Sequence, residues 1–378
     1  MKRLNLKLLI SLVVATVCLG LGLIFVHAMQ LKSNEGSLKK EAEALVQDGK
    51  KDEALKRYTA YLQQNQNDPA VYRETAKLAL EIANTNQSNE TLNQAYRELE
   101  KGVRYNPDDA ELRASYAEFL MRLATIYPAE HKLFEDAITQ LKILTTAPKS
   151  PNRKYVPKLD LMLANCYEQL AYTDKAMELY ASIAGYDLKS NTFDRTKARA
   201  PNEVDPYNRM AFMMREKLEP RQPKQADAVM EQLVTVNKDS FKAHLYRAVY
   251  CFQRYLNLAE NSPAKEPMLA TAKDEMALAV KLSPEDADVI LWAAEMAMVD
   301  KDYKKSEQWL IRGLELFPKN VQMYLAVKTL MLNQDRVADA RKQIEQGLKN
   351  LPKNAELLLA LADIEMQQHD FDGARGAL

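Results

Sequence analysis

The residues from which a reaction centre would have to be built are few and scattered. The four histidines, His27, His131, His244 and His369, are far apart, and none sits in the H-E-x-x-H or H-x-E spacing that sets two ligands on one helix face. Cys18, Cys166 and Cys251 include no C-x-x-C pair. Cys166 and Cys251 fall on helical apolar faces, where a thiol acts as a small hydrophobe. Acidic pairs such as Asp108-Asp109 and Glu285-Asp286 directly follow prolines at helix starts, where carboxylates offset the helix dipole. There is no glycine loop to cradle a phosphate and no G-x-S-x-G elbow. The chain is therefore expected to be no enzyme, with no catalytic, cofactor-binding or metal-ligating residues and no cofactor.

Composition narrows the partners. Lys+Arg and Asp+Glu both number 52, so the formal charge of zero gives no pull toward nucleic acid. With 10 Gly in 378 residues and frequent Ala, Leu, Glu, Lys and Gln, the sequence favours helices and offers few hairpin turns. Almost no strand is expected.

What organises the chain is a period. Pro284, Pro318 and Pro352 stand 34 residues apart, and each interval reads as two amphipathic helices and a turn: Ala287 to Val299, then Tyr303 to Phe317 before the next proline. Small residues carry the pattern through the rest. Ala54, Ala95, Ala137, Ala176, Ala226, Ala272, Ser306, Ala340 and Ala374 mark the second helix of successive units, each with an apolar or aromatic residue four positions on. Ala42, Ala76, Ala117, Ala164, Ala211, Ala248, Ala294 and Ala362 mark the first helix, with Lys328 as the departure. Small residues at these points let two helix backbones approach, while the large residue one turn along fills the groove beside them.

The pattern resembles the tetratricopeptide repeat, on Leu163-Ala164, Tyr167, Ala176 and Tyr180 in one copy, Ala293-Ala294, Ala297, Leu310, Gly313 and Pro318 in another, and Ile344, Gly347 and Pro352 in the next. The resemblance covers about residues 37 to 378. It implies an all-α, right-handed superhelical solenoid of about nine helical hairpins whose first helices line a concave face that takes extended peptides or partner helices. Positions of this chain that match that face include Arg73, Lys77, Glu118, Asn165, Asn208, Phe212, Val249, Phe252, Leu291 and Glu295. Asn165 alone matches the asparagine of the carboxylate-clamp subfamily, whose basic partners are missing here. The aromatic residues Trp292, Trp309, Tyr303 and Phe317 read as inter-helix packing.

The spacing between paired small residues is 12 in the regular copies but 19 from Ala76 to Ala95, 20 from Ala117 to Ala137, 15 from Ala211 to Ala226 and 24 from Ala248 to Ala272. The surplus is expected in lengthened polar turns. Copies one to three occupy residues 32–146, a linker 147–157, copy four 158–184, a second linker 185–206 with a basic cluster at Arg195, Lys197 and Arg199, and copies five to nine 207–378. The ninth copy breaks off within its second helix, which suggests that more repeats or another domain follow.

Ahead of the repeats, Leu8 to Val26 is an uncharged apolar run behind Lys2, Arg3 and Lys7. As a helix it would reach about 28 Å, near the roughly 30 Å of a bilayer core. It reads as a single-pass anchor with a cytoplasmic N-terminus and the repeats outside, in the periplasm if the source is bacterial; a cleaved signal peptide is the competing reading. The functional expectation is a membrane-tethered scaffold for a protein or peptide partner, with no nucleic acid and no small-molecule substrate. The alternative is the docking arm of a larger enzyme or of an envelope export or assembly machine.

Overall fold

The computed structural model describes residues 37–146, 156–368 and 375–376. The expected anchor at 8–26 and most of the expected linker at 147–157 lie outside them. Among the described residues no helix is long and apolar enough to cross a membrane. The chain divides after Leu179 into two compact units.

The first unit holds α1 (37–47), α2 (Lys51–Gln64), α3 (Pro69–Thr85), α4 (Asn89–Tyr105), α5 (Ala110–Ile126), α6 (His131–Thr146), α7 (Val156–Gln169) and the start of α8 (Thr173–Ala184), which runs across the division. The second holds a two-residue hairpin, β1 (Tyr186–Asp187) and β2 (Thr192–Phe193), followed by α9 (Asp205–Glu216), α10 (Pro223–Val236), α11 (Phe241–Asn257) and α12 (Lys265–Leu282). It ends with α13 (Ala287–Val299), α14 (Tyr303–Leu316), α15 (Val321–Leu332), α16 (Val337–Asn350) and α17 (Ala355–Gln367). Apart from β1 and β2 the described residues form an all-α fold of stacked helical hairpins. First helices also pack on the first helix of the next hairpin: α3 on α5 and α5 on α7 in one unit, α11 on α13, α13 on α15 and α15 on α17 in the other.

The small residues are where these helices meet. From Ala42 through Ala340 every one of them is 0% exposed, and their apolar followers from Tyr58 to Ile344 are buried as well. Lys328, the exception, is a first-helix lysine whose side chain reaches Asp363 on α17 at 3.4 Å. Gly102 shows how close the approach is: a Cβ there would lie 2.7 Å from the Cβ of Ala76 on the partner helix.

Helix starts repeat with the same period. Asp286, Asn320 and Asn354, each two residues past a proline, accept from the backbone N–H of Val289, Met323 and Leu357 at 3.1, 3.3 and 3.0 Å. A side-chain oxygen thus satisfies an amide that the helix itself leaves unpaired. In the regular hairpins the turn holds a left-handed residue five before the small residue of the second helix: Gly49, Ala171, Lys301 and Asp335. The last three take that conformation without glycine, at a cost of about 1–2 kcal/mol each.

The surplus residues of the irregular copies are not mainly in turns, contrary to expectation. Between Ala76 and Ala95 the turn is still three residues, 86–88. Ala76 lies nine residues before the end of α3, where Ala294 lies five before the end of α13; Ala95 lies six into α4, where Ser306 lies three into α14. The seven-residue surplus therefore adds about one turn to each helix, which leaves the packing faces aligned. The α5–α6 pair does the same with one added turn residue. The α11–α12 pair divides its surplus between both helices and the turn, and only α9–α10 puts all of it in the loop 217–222.

The stretch 185–206, expected as a linker, is an ordered fold-back. Phe193 lies 4.8 Å from Tyr186 and 5.8 Å from Tyr207 between ring centroids, and the Tyr207 hydroxyl donates to the carbonyls of Pro201 and Ala184. The backbone amides of Arg199 and Ala200 donate to Ser182 and Ile183 at the end of α8. Gly185, at φ +76°, makes the turn possible: a Cβ would lie 2.6 Å from the carbonyl oxygen of Asp194.

Ser306 stands where the other second helices carry alanine; it is 0% exposed and its hydroxyl has no hydrogen-bond partner among the described residues. Replacing Ser306→Ala removes an unsatisfied buried oxygen and improves helix propensity, so it is expected to raise stability by about 1–2 kcal/mol. Denaturant titration of the full chain checks this; an unchanged or lower midpoint would contradict it.

Candidate functional site: a groove of aromatics and arginines

The second unit holds a groove of about 680 Å³ lined by three consecutive first helices, α9, α11 and α13. Helical spacing builds it. Asn208 and Phe212 stand four apart on α9, with Arg215 one turn further, and on α11 Tyr246, Tyr250 and Arg254 form one stripe of fourth residues beside a second of Leu245, Val249 and Gln253. Asp288 and Trp292 close it from α13. The groove rests directly on the core: Leu245 is buried with Ala248 and Met276, and Val249, Tyr250 and Trp292 pack against that cluster while also facing the hollow.

Its polar groups are tied to one another. One oxygen of Asp227, on α10, accepts from Arg215 at 2.8 Å, from Arg254 at 2.6 Å and from the Tyr250 hydroxyl at 2.5 Å, while Arg215 also donates to the Tyr250 oxygen. Both guanidiniums lie over the Tyr250 ring, 5.1 and 5.9 Å from its centroid. Burial and then the Asp227 carboxylate push the Tyr250 phenol well above its ordinary value, so it stays a neutral donor. At the other end Asp205 accepts from the Tyr246 hydroxyl at 2.7 Å and pairs with Lys242 at 2.9 Å; burial, followed by Asp205, raises the Tyr246 phenol to about 12. These bonds join α9, α10 and α11 and hold the aromatic rings in place.

Among the positions expected to meet a partner, the groove gathers Asn208, Phe212 and Val249. Phe252 does not belong with them. It is 0% exposed, stacked with Tyr255 and edge-on to Trp292, because it sits one residue round the helix from the lining stripes and faces the core. Leu291 packs on the core around Ile290 and Met323, and Glu295 is half-buried on α13, where desolvation raises its carboxyl. In the first unit Arg73, Lys77 and Glu118 are engaged with neighbouring hairpins: Arg73 with Asp109 at 2.5 Å and Glu111 at 3.0 Å, Lys77 with Glu111 at 3.8 Å, Glu118 with Lys158 at 2.6 Å. Asn165 is half-buried on α7.

Sequence reasoning missed Tyr246, Tyr250, Arg215, Arg254 and Trp292. The four-residue rhythm of Lys242, Tyr246, Tyr250 and Arg254 was a legible signal for one polar-aromatic stripe. Trp292 had been assigned to packing; its ring does pack on Phe252, yet it also faces the groove.

Residues 330–378 match the model of the tetratricopeptide repeat. Among curated protein sequences none matches. Solved structures that resemble the chain include a tetratricopeptide repeat protein from Parabacteroides merdae (12% identity, 78% of this chain and 98% of that one, TM-score 0.47). Another is PilF from Pseudomonas aeruginosa (15% identity, 60% and 90%, TM-score 0.41). A third is the human IFIT1 dimer with PPP-AAAA (15% identity, 91% and 71%, TM-score 0.38). At these scores and identities the likenesses carry no functional argument.

Phe212 and Phe252 make the site assignment testable. Phe212→Ala, at a 41% exposed position, is expected to change stability by no more than about 0.5 kcal/mol, whereas Phe252→Ala leaves a core cavity and costs about 3–5 kcal/mol. Chemical denaturation of both variants would refute the assignment if their order were reversed.

Proposed function

We propose that the chain is a protein-interaction scaffold held at a membrane by residues 8–26, and that a segment of a partner protein lies in the groove between α9, α11 and α13. The observation that carries the reading is the composition of that groove: a 680 Å³ hollow faced by Phe212, Tyr246, Tyr250 and Trp292 with three arginines, Arg209, Arg215 and Arg254, at their side. Aromatic residues and arginine are the types that supply most binding energy when a partner covers them, since they bury large area at low entropy cost. The lateral bonds of Asp227 and Asp205 hold Arg215, Arg254, Tyr250 and Tyr246 in place before binding, so little ordering of these four has to be spent on association.

The sequence supports the tether: an uncharged run long enough to span, with basic residues abutting its N-terminal side, favouring a cytoplasmic N-terminus and repeats on the far face. Confinement to a surface raises the effective concentration of a partner on the same membrane. The partner is a protein in this reading and not a nucleic acid, because the chain as a whole carries no net charge.

Two measurements test the two parts. With a photo-crosslinking phenylalanine analogue placed at Phe212, a protein adduct is expected that Trp292→Ala abolishes, while the same probe at Ile311, half exposed on α14, gives none; adducts at Ile311 alone would sink the groove. The full chain is expected to stay in the membrane pellet through an alkaline carbonate wash and a chain starting at residue 32 to leave it. A full chain that washes off counts against the tether.

A further inference from the structure

The bonds around Asp227 do not balance. Two guanidiniums, from Arg215 and Arg254, share one carboxylate oxygen, and their side chains are only 22% and 17% exposed. One pairing would be enough to neutralise Asp227 and tie α10 to a neighbouring first helix. The second leaves one positive charge in local excess, partly withdrawn from water, beside the Tyr250 ring; the other charged residues of the lining are Arg209 and the exposed Glu216 and Asp288. Withdrawing such a charge without a partner is costly. Neighbouring carboxylates do not offset it: Glu275 is held by His244 at 2.6 Å and Arg247 at 3.3 Å, and exposed Glu216 lies 4.0 Å from Arg221. Asp205 is taken by Lys242 and Tyr246.

We propose that this groove reads an acidic side chain. Its occupant is a protein segment in which Asp or Glu stands beside a large apolar or aromatic residue, the carboxylate meeting Arg215 and Arg254 and the anchor lying against Phe212 and Trp292. The inference rests on the groove being the partner site and adds the chemistry it selects. A guanidinium matches a carboxylate through two parallel N–H donors, and the apolar surroundings strengthen that bond by excluding water. One carboxylate answers the local excess of one guanidinium at Asp227. A nucleic-acid backbone, with a charge at every step, would bring further phosphates toward Asp288 at the α13 edge of the groove and exposed Glu216 on α9.

The test pans the full chain, in detergent micelles, against a displayed library of random peptides of about twelve residues. Sequences whose capture is lost with Phe212→Ala define groove binders. They are expected to be enriched in Asp or Glu next to Trp, Phe or Leu, and a synthetic peptide taken from them should bind about tenfold more weakly when its acidic residue is changed to the amide. Arg254→Gln should erase that preference. Asp227→Asn, which frees both arginines without removing them, should widen the preference for the acidic peptide over its amide, a change that loss of structure or of pre-ordering would not produce. Groove binders without acidic residues, or an amide peptide within about twofold of its parent, would overturn the inference and leave the groove reading intact. If no peptide depends on Phe212, the groove reading fails and the inference with it. If an oligoadenylate binds at physiological salt in a Phe212-dependent way, the charge serves a phosphate and the inference is wrong.

Discussion

Everything in this molecule depends on two helix backbones being able to touch. Where Ala76 faces Gly102, the separation leaves no room for one further carbon atom, and alanine recurs at equivalent points along both units. Close approach brings the large residue one turn on, Leu99 or Tyr180 or Leu310, into full burial. A single hairpin so built still exposes one apolar face, which only the next hairpin can cover. Stacking follows from that shortage of cover and aligns first helices side by side, which is how residues from α9, α11 and α13 come to share one hollow.

Polar contacts then fix what apolar packing leaves loose. Bonds from one first helix to the next recur at sequence separations close to the repeat length, as with Arg73 and Asp109, Lys242 and Asp205, Gln322 and Glu356. Asp109 does two jobs at once. It caps α5 through the Leu112 amide and pairs with Arg73, and although burial works against its charge, these bonds hold its carboxyl below the usual range. Surface pairs of this kind contribute little singly, but they set the lateral register of the helices they join.

Much of the architecture was legible in the sequence because it depends on residue size at fixed intervals, and size is written directly in the chain. Ala164 with Ala176, or Ala294 with Ser306, marks where two helices cross. The groove was half legible for the same reason: Asn208, Phe212 and Val249 follow from helical phase. Phe252 was misplaced because a residue at the edge of an apolar face can turn inward or outward, and the neighbouring ring of Trp292 decides which. The shared carboxylate of Asp227 could not be read at all, since Arg215, Asp227 and Arg254 come from three helices and meet only once those helices are packed. The fold-back at 185–206 was hidden by composition, because its polar residues look like a spacer while its order comes from three aromatic rings.

The extended hairpins have an evolutionary corollary. A helix facing partners on one side accepts new length only in steps that bring it back to the same angle, and the α3–α4 pair has grown by one such step per arm. One or two residues gained mid-helix would swing every later side chain toward solvent or into the wrong neighbour. Insertions and deletions in homologues of this chain should accordingly cluster at multiples of three to four residues within helices and be of any size only in loops such as 217–222, a quantised tolerance that an alignment would display as a ladder of allowed lengths.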